Sequence, residues 1–380
     1  MQRIATDVRS DWEKKVEEQG LIFHHTLDGV YWDESAYYRF TSSEVDTLEA
    51  ATNELQRICL EAGQNIIDHK RYAELGIPDF AVPAIESSWN KEPPAIYGRM
   101  DLAYDGMHPP RMLEYNADTP TGLLEAAIVQ WYWLEDKFKH SDQFNSIHER
   151  LIAKWKELKD YLSPKSALYF THLDDPQGED AMTATYLRDT AQQAGLETSG
   201  ILITDIGWDS NKDLFVDLTD HPMYSIFKLY PWEWLIHEKF GPNLLKTYDQ
   251  ISWMEPIWKM LFSNKGILPI LWELNPNHPN LLEAYFDGPH TMTEYVRKPK
   301  MSREGANITL VSRSGTTETA GDYGEEGFIY QALAPIPTID DRRPILGSWL
   351  VDGEAAGMGV RESVGPITDN LSTFVPHLFD

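Results

Sequence analysis

An α/β fold with more than one sheet is what this 380-residue sequence predicts, and three patterns carry the prediction. Amphipathic runs with helical spacing cover Thr41 to about Ile66 and Gly122 to about Phe138. A strand–helix–strand succession covers Ala167 to Ile203, the form of a parallel βαβ unit. From Tyr295 onward short apolar β runs alternate with polar turns. The expected organisation is one module over 1–380, with a region holding a polar hairpin over about 1–160, a parallel α/β subdomain over 161–250 and a β-rich region over 251–380.

In chain order, Thr41-Ser-Ser-Glu44 has the form of a capping box at a helix start. Val45, Leu48, Leu55, Ile58, Cys59 and Ile66 follow at helical spacing, which makes Cys59 a core residue. In the second run Leu124, Ala127, Ile128, Trp131 and Leu134 form the expected apolar stripe. Ala167 to Phe170 reads as a strand, Glu179 to Ala194 as a helix ended by Gly195, and Ile201 to Ile203 as the next strand. Ile226 to Tyr230 reads as a further strand, and an aromatic-rich helix is expected near Trp253. The remaining strands are 295–298, 307–311, 328–333, 345–351 and 355–361. Asp352-Gly353 predicts a type I′ hairpin between the last two.

Bulk properties narrow the function. The net charge of −27 is spread along the chain without a basic stripe, which argues against nucleic-acid binding and mildly favours a cationic small molecule. No run of about 18 apolar residues predicts a membrane span. The first residues lack an apolar signal segment, and a single cysteine excludes a disulfide framework. The expectation is a cytoplasmic protein.

The most informative stretch is Tyr97-Gly-Arg-Met-Asp-Leu-Ala-Tyr-Asp-Gly106 with Leu113-Glu-Tyr-Asn-Ala-Asp-Thr-Pro-Thr121. As two paired strands, period two puts Arg99 and Asp101 on one face of the first, and Glu114 and Asn116 on one face of the second. Three oxygen ligands with no imidazole or thiolate suit Mg²⁺ rather than zinc. The other reading is a solvated face with an incidental ion pair. Thr119 and Thr121 stand where the next helix begins, as N-caps or as part of an anion site, and the two readings are compatible.

Further on, Lys298 ends a strand where its ammonium can reach a phosphate, and Ser302 to Ala306, with Arg303 and Gly305, can fold over phosphates as a flap. An exposed hairpin with solvated charges is the competing reading. Lys265 and Arg361 are further phosphate candidates beside glycines, and the strand containing Gln331 can offer adenine a backbone edge. His24-His25 and the remaining histidines lack zinc-hydrolase spacing. No nucleophile elbow and no dinucleotide glycine fingerprint occurs.

Taken together, Tyr-Gly-Arg-Met-Asp, Leu-Glu-Tyr-Asn-Ala-Asp-Thr-Pro-Thr, Phe-Lys-Leu-Tyr-Pro-Trp-Glu-Trp, Ser-Asn-Lys-Gly-Ile-Leu-Pro, Arg-Lys-Pro-Lys-Met-Ser-Arg-Glu-Gly-Ala-Asn and Gly-Met-Gly-Val-Arg-Glu run in order from about Ala95 to Glu362. This ordered set resembles the glutathionylspermidine synthase family, in its ATP-grasp synthetase module. The resemblance implies an ATP-grasp fold with an additional parallel α/β subdomain, the nucleotide region lying in 251–380. It implies Mg²⁺ on Asp101, Glu114 and Asn116, and ATP on Lys265 and Lys298. Arg99 and Arg361 are implied to stabilise the transferring phosphoryl group, and Thr119 and Thr121 to line a glutathione site. Glu179 and Asp180 match a polyamine site less closely. Two departures stand out: no segment matches the amidase domain of the bifunctional members, and Thr119-Pro-Thr121-Gly122 replaces their Ser-x-Ser-Cys.

The expected function is ATP-dependent ligation of a glutathione-like acid to a polyamine-like amine through an acyl phosphate. The alternative is a nucleotide-binding regulatory or scaffolding protein that no longer ligates. A weaker one is an acidic polyamine-binding protein.

Overall fold

Thr41 starts the longest helix, Ser42–His69, with both bonds of a capping box: its hydroxyl accepts from Glu44 N, and the Glu44 carboxylate accepts from Thr41 N at 2.8 Å. The computed structural model describes residues 1–26, 29–303, 305–367 and 372–380. The apolar stripe of this helix, Cys59 included, is buried and packs on the strands Arg343–Val351 and Glu354–Ser363. Burial pushes the Cys59 thiol well above its usual range, so it behaves as a small hydrophobe.

Those two strands belong to a five-stranded antiparallel sheet that positions the polar hairpin. Its order is 373–375, 354–363, 343–351, 97–103, 111–116. Asp352 and Gly353 both have positive φ, 56° and 76°, as a type I′ turn requires. Arg99 pairs with Asn116 and Asp101 with Glu114, so the four share one face. On the other side Asp101 faces Gly347, and the ladder continues to Arg361 opposite Ile345, which brings Arg361 to the same face. Gly347 is required there: a Cβ would stand 2.8 Å from Arg99 Cδ, where the guanidinium stem crosses the strand.

A second sheet joins Ser252–Met254, Ser225–Leu229, Leu168–His172 and Thr198–Leu202 in that order, every ladder parallel. The helix Glu179–Gln193 connects Leu168–His172 to its neighbour, and Gly195 follows it with φ 85°. A third sheet is antiparallel, in the order 284–285, 328–332, 295–299, 309–312, 315–318. Strand 377–379 runs parallel to 36–40, which also pairs with 2–5.

Two expectations are corrected. Trp253 lies in a short strand of the parallel sheet, and helical turns begin only at Ile257 as a 3-10 segment. An apolar aromatic run does not distinguish a buried parallel strand from a helix by its pattern. The helix after Gly122 contains a π segment, Glu125–Val129, before Gln130–Lys137. The wider π turn shifts the face presented to the core. Trp133 is therefore fully buried while Trp131 is exposed, although Leu124, Ala127 and Leu134 of the expected stripe are buried. Among the described residues, no helix is long and apolar enough to cross a membrane.

Candidate active site

The hairpin face is occupied by a network of charges. Arg99 grips Asp101 with two nitrogens, Nε to Oδ1 at 2.7 Å and Nη2 to Oδ2 at 3.2 Å. Its Nη1 donates to the carbonyl of Thr121 at 2.5 Å, and its guanidinium lies 5.6 Å from the Trp349 ring centre. Arg361 Nη2 reaches the same carboxylate, Oδ2, at 3.0 Å. Asn116 Nδ2 stands 3.4 Å from Asp101 Oδ2 and 3.3 Å from Glu114 Oε1, so the three expected metal ligands form one cluster. Burial lowers the Arg99 pKa, but Asp101 outweighs it and holds the guanidinium above its ordinary value.

Lys265 Nζ pairs with Glu114 Oε2 at 2.9 Å and donates to the Ser302 carbonyl at 2.6 Å. Lys298 donates to Gln331 Oε1 at 2.7 Å and to the Leu113 carbonyl at 3.1 Å. Both lysines come from outside the hairpin: Lys298 from the third sheet, Lys265 from the turn before helix Ile267–Leu274. Burial alone would push the Glu114 carboxyl up; Lys265 and Lys298 together hold it well below its usual range. Burial pushes Lys298 down to about 8, with Glu114 opposing. Four cations thus surround Asp101 and Glu114, and each can exchange a carboxylate partner for phosphate oxygens.

Two cavities meet at this network. The polar one, about 210 Å³, is bounded by Arg99, Asp101, Glu114, Asn116 and Arg361 on the sheet side. Thr119, Thr121, Ser302, Arg303 and Gly305 close one flank, and Glu179 and Asp180 stand at the start of their helix on another. The second cavity, about 110 Å³, is lined by Lys265, Lys298 and Gln331 together with aliphatic side chains such as Val296, Leu333 and Ile336. Asp101, Glu114 and Gly305 border both.

Of the flap expected over Ser302 to Ala306, Glu304 lies outside the described residues. Arg303 donates to Thr119 Oγ1 and to Glu233 Oε1, each at 2.8 Å, and stacks 5.4 Å from the Trp234 ring centre. It lines the polar cavity rather than the one holding Lys298. Tyr230, Pro231 and Trp234 also line the polar cavity; their segment carries the family resemblance, but no site role was expected of these three residues. Gly122 sits at φ 78°, a backbone that disfavours any L side chain, so its identity is set by conformation as well as by what faces it. Away from the cavities, His24, His25 and Glu13 offer ligand atoms within 4.8 Å of one another, a grouping that their sequence spacing does not reveal.

Residues 3–380 match the family model described as "Glutathionylspermidine synthase preATP-grasp". The chain is 42% identical over 361 residues to a Haemophilus influenzae protein named "Putative acid--amine ligase", covering 92% of this chain and 91% of that one. It is 29% identical over 359 residues to the bifunctional glutathionylspermidine synthetase/amidase of Escherichia coli, covering 86% of this chain and 56% of that protein. In fold it is similar to a glutathione synthetase-like effector from Globodera pallida, with a TM-score of 0.61 at 10% identity, covering 97% of this chain and 96% of the other. With a family model matching nearly its whole length, the chain belongs to the glutathionylspermidine synthase family.

Proposed function

We propose that this protein is an ATP-dependent acid–amine ligase that joins the carboxylate of a glutathione-like peptide to a polyamine-like amine. The observation that carries the reading is the shared border of the two cavities at Asp101, Glu114 and Gly305. A nucleotide in the apolar cavity would present its terminal phosphate there, to a carboxylate held in the polar one. This use of the third sheet is that of an ATP-grasp fold.

Asp101 and Glu114 offer carboxylate oxygens, and Asn116, whose Nδ2 lies against both, would offer its amide oxygen with the amide turned, a donor set that fits Mg²⁺. Bound there, the ion would neutralise phosphate charge as a hard Lewis acid. Lys265 and Lys298 bind and orient the phosphates. Arg99 and Arg361 are fixed by Asp101 at the border and stabilise the charge on the phosphoryl oxygens as the substrate carboxylate attacks. The product is an acyl phosphate, which an amine opens to an amide with release of phosphate. Thr119, Thr121 and Arg303 suit the peptide, and Glu179 with Asp180 gives the cationic amine an anionic wall.

ADP release tests the proposal. It should require a γ-glutamyl peptide and a polyamine together, and fall by about 10²–10³ in Asp101→Asn. ADP release that ignores both substrates, or an unimpaired Asp101→Asn, would overturn it.

A further inference from the structure

Behind the phosphate end of the polar cavity lies a buried carboxyl–phenol pair that the chemistry above does not use. Glu125, first residue of the π segment, is fully buried in an apolar cluster. One of its oxygens accepts a 2.7 Å hydrogen bond from Tyr31 Oη, and the other has no partner among the described residues. A carboxyl buried this way costs stability, which favours a functional reason for keeping it. Tyr31 lines a side cavity of about 20 Å³, room for one water-sized group, and Arg99, Thr121, Glu179 and Arg361 line both this space and the polar cavity. Tyr31 thus bonds the carboxyl and also lines a space that shares four residues with the polar cavity.

The charged groups facing the pair are Glu179 and Arg361. Burial, reinforced by Glu179, pushes the Glu125 carboxyl up to about 7, with the Tyr31 hydrogen bond and Arg361 opposing. Burial and Glu125 push the Tyr31 phenol far up, so it stays protonated and can pass a proton only by exchanging its own.

We propose that Tyr31 and Glu125 form a proton relay that deprotonates the incoming amine. The inference rests on the ligase reading above. An amine enters as an ammonium and has no lone pair until a proton leaves. That proton passes to Tyr31 Oη as the phenol's own proton passes to Glu125 Oε1. The freed amine attacks the acyl carbon, the C–O bond to phosphate breaks, and phosphate departs with the electron pair. The remaining excess proton on nitrogen goes to the departing phosphate, and Glu125 returns its proton to solvent between turnovers. Tyr31 is the group that meets the amine; Glu125 acts through it.

The test compares two nucleophiles, spermidine, which is cationic, and hydroxylamine, which is already uncharged at neutral pH, with ATP, Mg²⁺ and glutathione saturating. In the wild type, spermidine-dependent turnover should rise with pH through about 7, as Glu125 loses its proton. Glu125→Gln keeps an oxygen for the Tyr31 hydrogen bond but cannot take a proton. It should lose about 10²–10⁴-fold with spermidine at neutral pH, no longer level off above about 7 but keep rising toward the amine's own pKa, and form hydroxamate at nearly the wild-type rate. Tyr31→Phe should show the same selective loss. Equal losses with both nucleophiles, or an unchanged spermidine profile, would overturn the relay while leaving the ligase intact. A wild type that releases no ADP with either nucleophile would overturn the ligase reading and the relay with it.

Discussion

Two ionic clusters at the same hairpin use the same kinds of residue to opposite ends. Asp101 with Arg99 and Arg361 faces a cavity, and Arg361 keeps about a quarter of its side chain exposed. Asp118 with Lys228 is sealed: Nζ to Oδ1 is 2.5 Å, Trp232 N donates to Oδ2 at 3.0 Å, and neither side chain is exposed at all. The ammonium also lies 4.6 Å from the Trp232 ring centre. A second sealed pair, Glu255–Lys259, bonds Ile96 N, Tyr97 N and the Tyr97 carbonyl. The sealed pairs thus bind both open ends of the hairpin to segments at and beyond the parallel sheet. Enclosure, not residue type, separates charges that hold the chain from charges free to exchange partners for phosphate.

The sharpest way to break that contrast is Lys228→Met. Burial pushes Asp118 up and Lys228 down, and each opposes the other's shift. Losing the cation should cost about 3–5 kcal/mol of stability, read as a lower urea midpoint, and Asp118→Asn in the same chain should recover most of it. Arg361→Ala probes the open cluster. Turnover should fall by about 10²–10³, equivalent to about 2.7–4 kcal/mol, while the unfolding free energy from urea melts falls by about 1 kcal/mol or less. An unstable Arg361→Ala, or a fully stable Lys228→Met, would erase the distinction.

A smaller effect comes from a buried group with no counter-charge. His377 Nδ1 donates to Gln130 Oε1 at 2.9 Å, and burial holds its pKa down to about 3 from 6.5. The folded state keeps it neutral, whereas the unfolded chain takes a proton below 6.5. Stability is therefore lost as pH falls through that value, by about 1.3 kcal/mol at pH 5.5 relative to pH 7. His377→Gln should flatten this limb in a pH series of urea melts.

How much of this was legible follows from the range of each interaction. The hairpin face, the capping box and the Asp352-Gly353 turn are local: period two, a three-residue spacing and two positive φ values are written in adjacent residues. The π segment was hidden, because five-residue hydrogen bonding leaves the composition of Glu125–Val129 looking like an ordinary helix, and with it went the choice of Trp133 over Trp131. Trp253 was misread because a three-residue strand is defined by its neighbour rather than by its own pattern. Arg303 was readable as a donor, but its partners Thr119 and Glu233 lie 184 and 70 residues away.

By itself, then, the sequence determined the family, the α/β class and the grouping of Arg99, Asp101, Glu114 and Asn116, since strand alternation acts over a few residues. Only the tertiary structure decided which charges are sealed and which face a cavity, and that Tyr31 reaches Glu125 across 94 residues. Those outcomes depend on what each side chain is buried against, and burial is a property of the packed chain.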